Sequence, residues 1–167
     1  MEYLTIPLSS THKKQAFSCG NDLLDRYLHR QAKQDVNRKL SACFILTDET
    51  HQVKGYYTLS STSIPREDLP ESIIKKLPPS YHNLPVTLMG GLAVSLNFQG
   101  QKLGELLLID ALKRSYSVFR EIGSMAVVVD PVDESATKFY EKYGFVLLPD
   151  SGKLFLAMKT IGQLLTE

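Results

Sequence analysis

The chain has 167 residues, which is enough for one domain with a full hydrophobic core. Hydrophobic residues make up 43% and charged residues 22%, a globular composition that excludes a disordered chain. The formal net charge of +1 lacks the basic excess of many nucleic-acid-binding proteins. No apolar run approaches the ~18 residues of a membrane span, and the first ten residues have no signal-peptide pattern. We therefore expect a cytoplasmic protein that does not contact a membrane.

Cysteine and histidine are too scattered for a metal site. Cys19 and Cys43 have no metal-ligand spacing, and the four histidines are scattered through the first half of the chain, at His12, His29, His51 and His82. In a cytoplasmic protein the two cysteines are expected to be free, packed thiols. We therefore expect no metal cofactor.

The first half of the chain alternates between strand and helix patterns. A short strand is expected over 3–8, followed by an amphipathic helix over 19–37. Residues 41–49 and 53–65 are rich in β-branched and aromatic side chains and are expected to pair as a hairpin. Segment 66–85 is Pro-rich and longer than an ordinary connection, which is typical of a lid or binding loop with one helical turn.

The second half begins with a strand–helix–strand unit. A buried strand is expected over 86–96, where paired glycines indicate a bulge or a close approach by another backbone. A helix over 102–119 and an apolar strand over 123–131 follow. Such a unit predicts a right-handed crossover between two parallel strands.

The last part of the chain is expected to hold one helix and two strands. The helix begins at Asp133 and stops at Gly144, and the strands cover 145–149 and 154–160. Mixed strands and helices without repeats or linkers predict an α/β or α+β fold, in one domain over residues 1–167.

Residues 98–112, FQGQKLGELLLIDAL, place two glycines and a lysine directly before an apolar helix. A helix start exposes unpaired N–H groups and the positive end of the helix dipole, and glycine lets a ligand approach that backbone closely. This pattern favours a bound anion such as a phosphate. The motifs GxGxxG and GxxxxGK[ST] do not occur in the chain, which argues against a dinucleotide fold and against a Walker-type nucleotide loop.

Several spaced blocks carry a family resemblance. FSCGNDLLDRYLHRQAKQD (17–35), GYYTLS (55–60), the stretch 90–112 and FYEKYGF (139–145) follow one another along the chain. Together they resemble the GCN5-related N-acetyltransferase (GNAT) family, and most closely its toxin subgroup from type II toxin–antitoxin systems. The resemblance covers nearly all of the chain. It implies a mixed, mostly antiparallel sheet with a splayed central pair of parallel strands, flanked by helices.

The resemblance also implies acetyl-CoA as cosubstrate. The family's loop, [Gln/Arg]-x-x-Gly-x-[Gly/Ala], binds the pyrophosphate, and here Gln99 and Gly104 match it while Lys102 replaces its first glycine. In that family the strand before the loop pairs with the pantetheine arm. The same residues can also simply be core strand, and the two interpretations are compatible. Ser135 stands where the family often has Asn, although it also fits an ordinary helix start. The implied cofactor-binding residues are Leu92, Ala93, Val94, Gln99, Gly100, Gln101, Lys102, Leu103, Gly104, Ser135 and Phe139.

Tyr140 matches the tyrosine with which this family often protonates the departing CoA thiolate. A tyrosine of pKa near 10 suits a thiolate of similar basicity. The alternative is that Tyr140 only packs, as is expected of Tyr143. The strand 86–96 contains no carboxylate to serve as a fixed general base, so an acceptor amine of low pKa is favoured. The α-amine of an aminoacyl ester is such an amine.

The first functional hypothesis is therefore a toxin that acetylates aminoacyl-tRNA and blocks translation. The alternatives are an acetyltransferase acting on a small-molecule amine or a protein N-terminus, and a non-catalytic CoA-binding module. The resemblance further implies a homodimer and a ribbon-helix-helix antitoxin as partner. The chain departs from the subgroup at three positions. The subgroup usually has Arg where this chain has Gly91, Asp where it has Ser95, and Gly where it has Lys102.

Basic side chains of the first helix leave one question open. They form either a tRNA-binding patch or an ordinary solvated helix face. The residues are Arg30, Lys33, Arg38 and Lys39.

Overall fold

The computed structural model describes residues 2–166, and its strands form a single sheet. The strands are β1 (Ile6–Pro7), β2 (Ala42–Thr47), β3 (Val53–Pro65), β4 (Asn83–Val94), β5 (Ala126–Val129), β6 (Val146–Leu147) and β7 (Leu154–Ala157). Their order in the sheet is β1-β2-β3-β4-β5-β7-β6, and the sheet is mostly antiparallel with one parallel pair. The predicted mixed sheet is confirmed.

Helices flank this sheet. They are α1 (Asp22–Arg26), a π-helical turn (Tyr27–Gln31), α2 (Ala32–Asn37), α3 (Glu71–Ile74), α4 (Leu103–Phe119), α5 (Glu134–Lys142) and α6 (Met158–Leu165). Two 3₁₀ turns cover Arg66–Asp68 and Leu96–Phe98. Within residues 2–166, no helix combines the length and the hydrophobicity that crossing a membrane requires.

The chain divides into two compact units. The first unit contains the residues up to Ser60 together with Met89–Lys113, and the second contains Ser61–Leu88 together with the residues from Arg114 onwards. Strands β3 and β4 and helix α4 contribute residues to both units.

The core of the first unit lies between the β2–β3 hairpin and the α1–α2 helix. The hairpin is antiparallel with Ile45 opposite Tyr56, as the sequence predicts. Leu28 and Ala32 of the helix are fully buried and pack in one cluster with both of these residues. Asn21 begins α1, because its side chain accepts the N–H groups of the next turn. This burial fixes the helix against the sheet.

The predicted helix over 19–37 is confirmed over residues 22–37, but it contains a π turn that the sequence did not predict. The N–H of Ala32 donates to the carbonyl of Tyr27, five residues earlier, instead of four. A π turn inserts one residue into the helix and shifts its buried face. Leu28 within the π turn and Ala32 directly after it are both buried.

A buried carboxylate joins α4 to the first strands. Asp110 accepts the N–H of Leu4 at 2.7 Å, the hydroxyl of Thr5 at 2.6 Å and the hydroxyl of Tyr57 at 2.8 Å. Only 3% of Asp110 is exposed. Because a buried charge is costly unless it is hydrogen-bonded, these three donors make the position tolerable.

The Pro-rich connection in the second unit is held by one arginine. Arg66 donates hydrogen bonds to the carbonyls of Ile74, Leu77, Pro78 and Tyr81, over distances of 2.7–3.2 Å. Carbonyls at the end of a short helix carry partial negative charge, which a guanidinium complements. The predicted helical turn is present as α3, and the lid role expected for this segment stays a prediction.

The end of the chain differs from the sequence-based expectation. The predicted last strand over 154–160 is wrong in its second half, because β7 ends at Ala157 and α6 follows. Met158, Ile161 and Gly162 of α6 are buried at helical spacing. Apolar residues three and four positions apart were the available signal for this helix. Because this apolar face packs against the rest of the protein, the segment forms a helix and does not continue as a strand.

Candidate functional site

The loop between β4 and α4 has an unusual backbone. Gly100 has φ +83° and Lys102 has φ +61°, both in the left-handed region, and α4 begins at Leu103. Nothing lies within 4 Å of a Cβ placed on Gly100, so its conformation rather than space calls for glycine. Lys102 is not a glycine, and the left-handed region costs such a residue roughly 1–2 kcal/mol.

This backbone presents donors at the start of α4. The carbonyl of Lys102 accepts the N–H of Leu106 at 3.2 Å, which makes Lys102 the residue that begins the helix. The N–H groups of Leu103 and Gly104 lie in the first turn, where a helix has no internal acceptors for them. A turn that alternates conformations directly before a helix forms a concave anion site. The arrangement can hold a phosphate or pyrophosphate.

The side chain of Gln99 faces the protein. Its amide Nε2 donates to the carbonyl of Val94 at 2.9 Å and to the carbonyl of Cys19 at 3.0 Å. The backbone adds another contact with the segment before α1, because the N–H of Leu96 donates to the carbonyl of Ser18 at 2.8 Å. The loop is therefore attached both to the end of β4 and to the segment before α1. No local sequence pattern predicts the contact with Cys19, which lies 80 positions away.

The predicted pantetheine-binding residues lie at the end of β4. Ala93 is buried, whereas Leu92 and Val94 are half-buried. A Cβ placed on Gly55 in β3 would lie 2.9 Å from the carbonyl oxygen of Ala93, so the two backbones approach closely there. All three residues lie in the strand, and Ala93 belongs to the core of the first unit. Their pairing with a cofactor stays a prediction.

Gly91 lies beneath the α1 helix. A Cβ at this position would lie 3.3 Å from Cδ2 of Leu24 and 3.6 Å from the ring of Tyr56. The hydroxyl of Tyr56 donates to the carbonyl of Leu24 at 2.7 Å and fixes that helix in place. A side chain at this position therefore requires Leu24 to shift by a few tenths of an ångström.

Tyr140 lies on α5 in the second unit. Asp133 begins this helix by accepting the N–H of Ala136 at 2.8 Å. The ring of Tyr140 packs against Phe139 and Phe145, with centroids 5.3 Å away in each case. Only 7% of Tyr140 is exposed, and this burial raises the pKa of its phenol. The phenol therefore stays protonated at neutral pH, as a proton donor must.

No group within residues 2–166 forms a hydrogen bond with the Tyr140 hydroxyl. The packing role and the chemical role are compatible, because the ring is held while the hydroxyl is not engaged by another side chain. Tyr143 packs edge-on against Phe139 at 5.2 Å, as expected. Ser135 is exposed in the first turn of α5, and Phe139 is half-buried. Their contact with a cofactor stays a prediction.

Neither cysteine is suited to nucleophilic chemistry. Both are free thiols, as predicted. Burial raises the pKa of Cys19 to about 11, with a contribution from its hydrogen bond to Asp25, and burial raises the pKa of Cys43 to about 12. Since the thiolate is the reactive form, both groups are inert at neutral pH. Within the described residues 2–166, no three His, Cys, Asp or Glu side chains form a group able to hold a metal.

The comparisons with known proteins identify the family of the chain. The acetyltransferase (GNAT) family matches residues 17–145. The chain belongs to this family, and it is an acetyltransferase. A tRNA-acetylating toxin of Mycobacterium tuberculosis (strain ATCC 25618 / H37Rv) is 33% identical over 161 residues, covering 96% of this acetyltransferase and 95% of the relative.

Solved structures extend the likeness to this acetyltransferase. AtaT complexed with acetyl-methionyl-tRNAfMet superposes with a TM-score of 0.88 at 29% identity, over 98% of this chain and 99% of that one. A Tyr-to-Phe variant of the AtaT toxin bound to acetyl-CoA and to the C-terminus of the antitoxin AtaR has a TM-score of 0.82 at 25% identity, with 98% of both chains covered. The resemblance to the toxin subgroup is confirmed.

Proposed function

We propose that this acetyltransferase transfers the acetyl group of acetyl-CoA to the α-amine of aminoacyl-tRNA and acts as a translation-blocking toxin. The observation that carries the proposal is the 33% identity with a tRNA-acetylating toxin over nearly the full length of both chains. The similar structure of AtaT with acetyl-methionyl-tRNA supports the same acceptor. An N-acetylated aminoacyl group has no free amine for peptide-bond formation, so elongation stops.

The loop from Gln99 to Gly104 is proposed to bind the pyrophosphate of acetyl-CoA. Two left-handed residues and the first turn of α4 supply backbone donors for an anion. The exposed Lys102 adds a positive charge at the same place. The end of β4 is proposed to pair with the pantetheine arm, since the backbone of a strand end offers the donors and acceptors that an amide-containing arm needs.

Tyr140 is proposed to donate a proton to the CoA thiolate as it leaves. Burial raises the pKa of its phenol, and no other side chain competes for the hydroxyl within residues 2–166. Ser135 and Phe139 on the same helix are proposed to contact the cofactor.

The acceptor amine is proposed to lose its proton to water. Strand β4 (Asn83–Val94) contains no Asp or Glu, so it offers no fixed base. The α-amine of an aminoacyl ester is less basic than a lysine side chain, and a useful fraction is already neutral near pH 7.5. An enzyme without a strong base is therefore better suited to this acceptor than to lysine.

The partners are proposed from the same relatives. An antitoxin is expected to bind this protein, because the AtaT toxin has been solved with the C-terminus of AtaR. We also propose that the whole chain forms one catalytic domain, that it is a homodimer, and that it works in the cytoplasm, where charged tRNA is present. Light scattering at working concentration checks the homodimer, and a monomeric mass contradicts it.

The test is acetyl transfer from labelled acetyl-CoA to a pool of aminoacylated tRNA. Wild type is expected to label the tRNA, and Tyr140→Phe is expected to label it 10²–10⁴-fold more slowly, as is typical for removal of a general acid. Tyr143→Phe makes the same chemical change on the same helix and is the matched control. No labelling by a wild type that binds CoA contradicts the tRNA proposal and directs the search to small amines and protein N-termini.

A further inference from the structure

Gln99 forms a clamp between the proposed pyrophosphate loop and the start of α1. One amide nitrogen donates to two carbonyls, that of Val94 at 2.9 Å and that of Cys19 at 3.0 Å. An amide NH₂ has two hydrogens, so these two bonds use its full donor capacity. The side chain is thus committed to the protein, although the residue as a whole is exposed.

The clamp continues into helix α1 through a single residue, Cys19. The carbonyl of Cys19 accepts from Gln99, and the N–H of Cys19 donates to Oδ1 of Asp25 at 2.9 Å. Asp25 lies in α1, and Asn21 begins the same helix. A separate hydrogen bond, from the N–H of Leu96 to the carbonyl of Ser18, links the same loop to the same segment. A displacement of the loop therefore acts on the first turn of α1.

We propose that Gln99 is a positioning residue, which holds the loop in its anion-binding conformation and couples cofactor binding to the order of residues 18–25. The inference rests on the proposed function only in taking the anion to be the pyrophosphate of CoA. Coupling between two sites is reciprocal in free energy. Bound CoA therefore protects the start of α1, and loss of the clamp weakens CoA binding.

The chemistry of the side chain matters more than its size. Carbonyl oxygens only accept hydrogen bonds, so a donor is required opposite them. Gln99→Glu places a carboxylate against two carbonyls and also near the bound anion. Gln99→Met keeps a similar length without donors or charge, and Gln99→Arg keeps the donors. Together these three variants distinguish the effect of the lost hydrogen bonds from the effects of side-chain shape and charge.

The experiment measures CoA affinity by calorimetry and amide hydrogen exchange of residues 18–25, with and without CoA, in the full chain. Gln99→Met is expected to weaken CoA binding about tenfold, since two hydrogen bonds are lost. It is also expected to abolish the slowing of exchange over 18–25 that CoA causes in wild type. Gln99→Arg is expected to stay within about threefold of wild type and to keep the protection, given its donors.

The control variants are Asn97→Leu and Asn97→Asp. Asn97 is exposed in the 3₁₀ turn of the same loop, two positions from Gln99. Its variants lose the same amide or gain the same charge, and we expect wild-type affinity and protection from both. A residue with only a folding role lowers the melting temperature but leaves CoA affinity and the protection intact.

Two outcomes overturn the inference. The first is wild-type affinity and protection in Gln99→Met, and the second is an equal loss in Asn97→Leu. CoA binding requires no acceptor, so the test remains valid if tRNA acetylation fails. If wild type itself does not bind CoA, the proposed function fails instead.

Discussion

Lys102 takes a left-handed conformation, φ +61°, two residues after Gly100 with φ +83°. The two residues shape the turn that leads into α4, yet only one of them has the conformational freedom of glycine. We predict that Lys102→Gly raises the free energy of unfolding by about 0.5–1 kcal/mol. The substitution removes backbone strain of roughly 1–2 kcal/mol from the folded state, but glycine also adds conformational entropy to the unfolded chain, which offsets part of this gain. Urea denaturation measures this change.

Lys102→Ala is the control for the same position. It removes the ammonium but retains a Cβ at positive φ, so no gain in stability is expected. If Lys102→Gly is less stable than Lys102→Ala, the account of strain is wrong.

The burial of Tyr140 predicts how the reaction depends on alkaline pH. Burial raises the pKa of this phenol above its ordinary value, so the acid form persists at higher pH. We expect initial rates, corrected for uncatalysed loss of the aminoacyl ester, to show no decline from about pH 8 to about pH 10, where an ordinary tyrosine is half ionised. A decline between about pH 8 and about pH 10 in wild type that Tyr140→Phe lacks contradicts this assignment.

Removal of the Asp110 carboxylate is predicted to destabilise the fold strongly. Asp110→Ala leaves the N–H of Leu4 and the hydroxyls of Thr5 and Tyr57 without this acceptor. We expect a loss of about 3–5 kcal/mol in the free energy of unfolding. Thr5→Val removes one donor and keeps the carboxylate, so it should cost only about 1 kcal/mol. Equal losses from the two variants would contradict a carboxylate-centred network.

His12 is predicted to make stability sensitive to mild acid. Its Nδ1 accepts the N–H of Ser9 at 3.0 Å, which requires the neutral ring. Burial first, and the neighbouring His51 second, lower the pKa of His12 in the folded state. Between the lowered pKa and the unfolded value of about 6.5, the unfolded chain binds more protons than the folded chain. The stabilisation is therefore complete above about pH 6.5 and is lost as the pH falls through the folded pKa.

The measurement compares wild type with His12→Gln in urea at pH 7.5 and pH 5.0. Carboxylates also titrate in this range, but they do so in both proteins. The stability advantage of wild type over His12→Gln is expected to shrink at pH 5.0. A constant difference would show that His12 does not contribute.

The role of the basic side chains on the first helix and directly after it can be tested by the salt dependence of tRNA binding. Arg30, Lys33, Arg38 and Lys39 are all exposed, which is compatible with a tRNA-binding patch and with a solvated face. If Lys33 contacts an RNA phosphate, Lys33→Gln lowers the slope of log K against log salt for tRNA by about 1. Lys76→Gln, at an exposed lysine in the second unit, is the control. An unchanged slope in Lys33→Gln assigns this residue to the solvated face.

Local pattern in the sequence determined most of the secondary structure and the family. Strand β3 occupies 53–65 as predicted, and α4 follows the glycine-containing loop within one residue of the expected start. Alternation, helical periodicity and glycine position are properties of neighbouring residues, so they are visible without a structure. The glycines and the lysine at 99–104, directly before a helix, could be recognised from the sequence in the same way.

The contacts that shape this site were decided by tertiary structure alone. The π turn at Tyr27–Gln31 and the change from β7 to α6 depend on which face is buried, and intrinsic propensity is too weak to settle that. Gln99 meets Cys19 across 80 positions, and Asp110 meets Leu4 across 106. A single sequence carries no periodic trace of such pairs, because each is a hydrogen bond between groups that only the folded chain brings within 3 Å of each other.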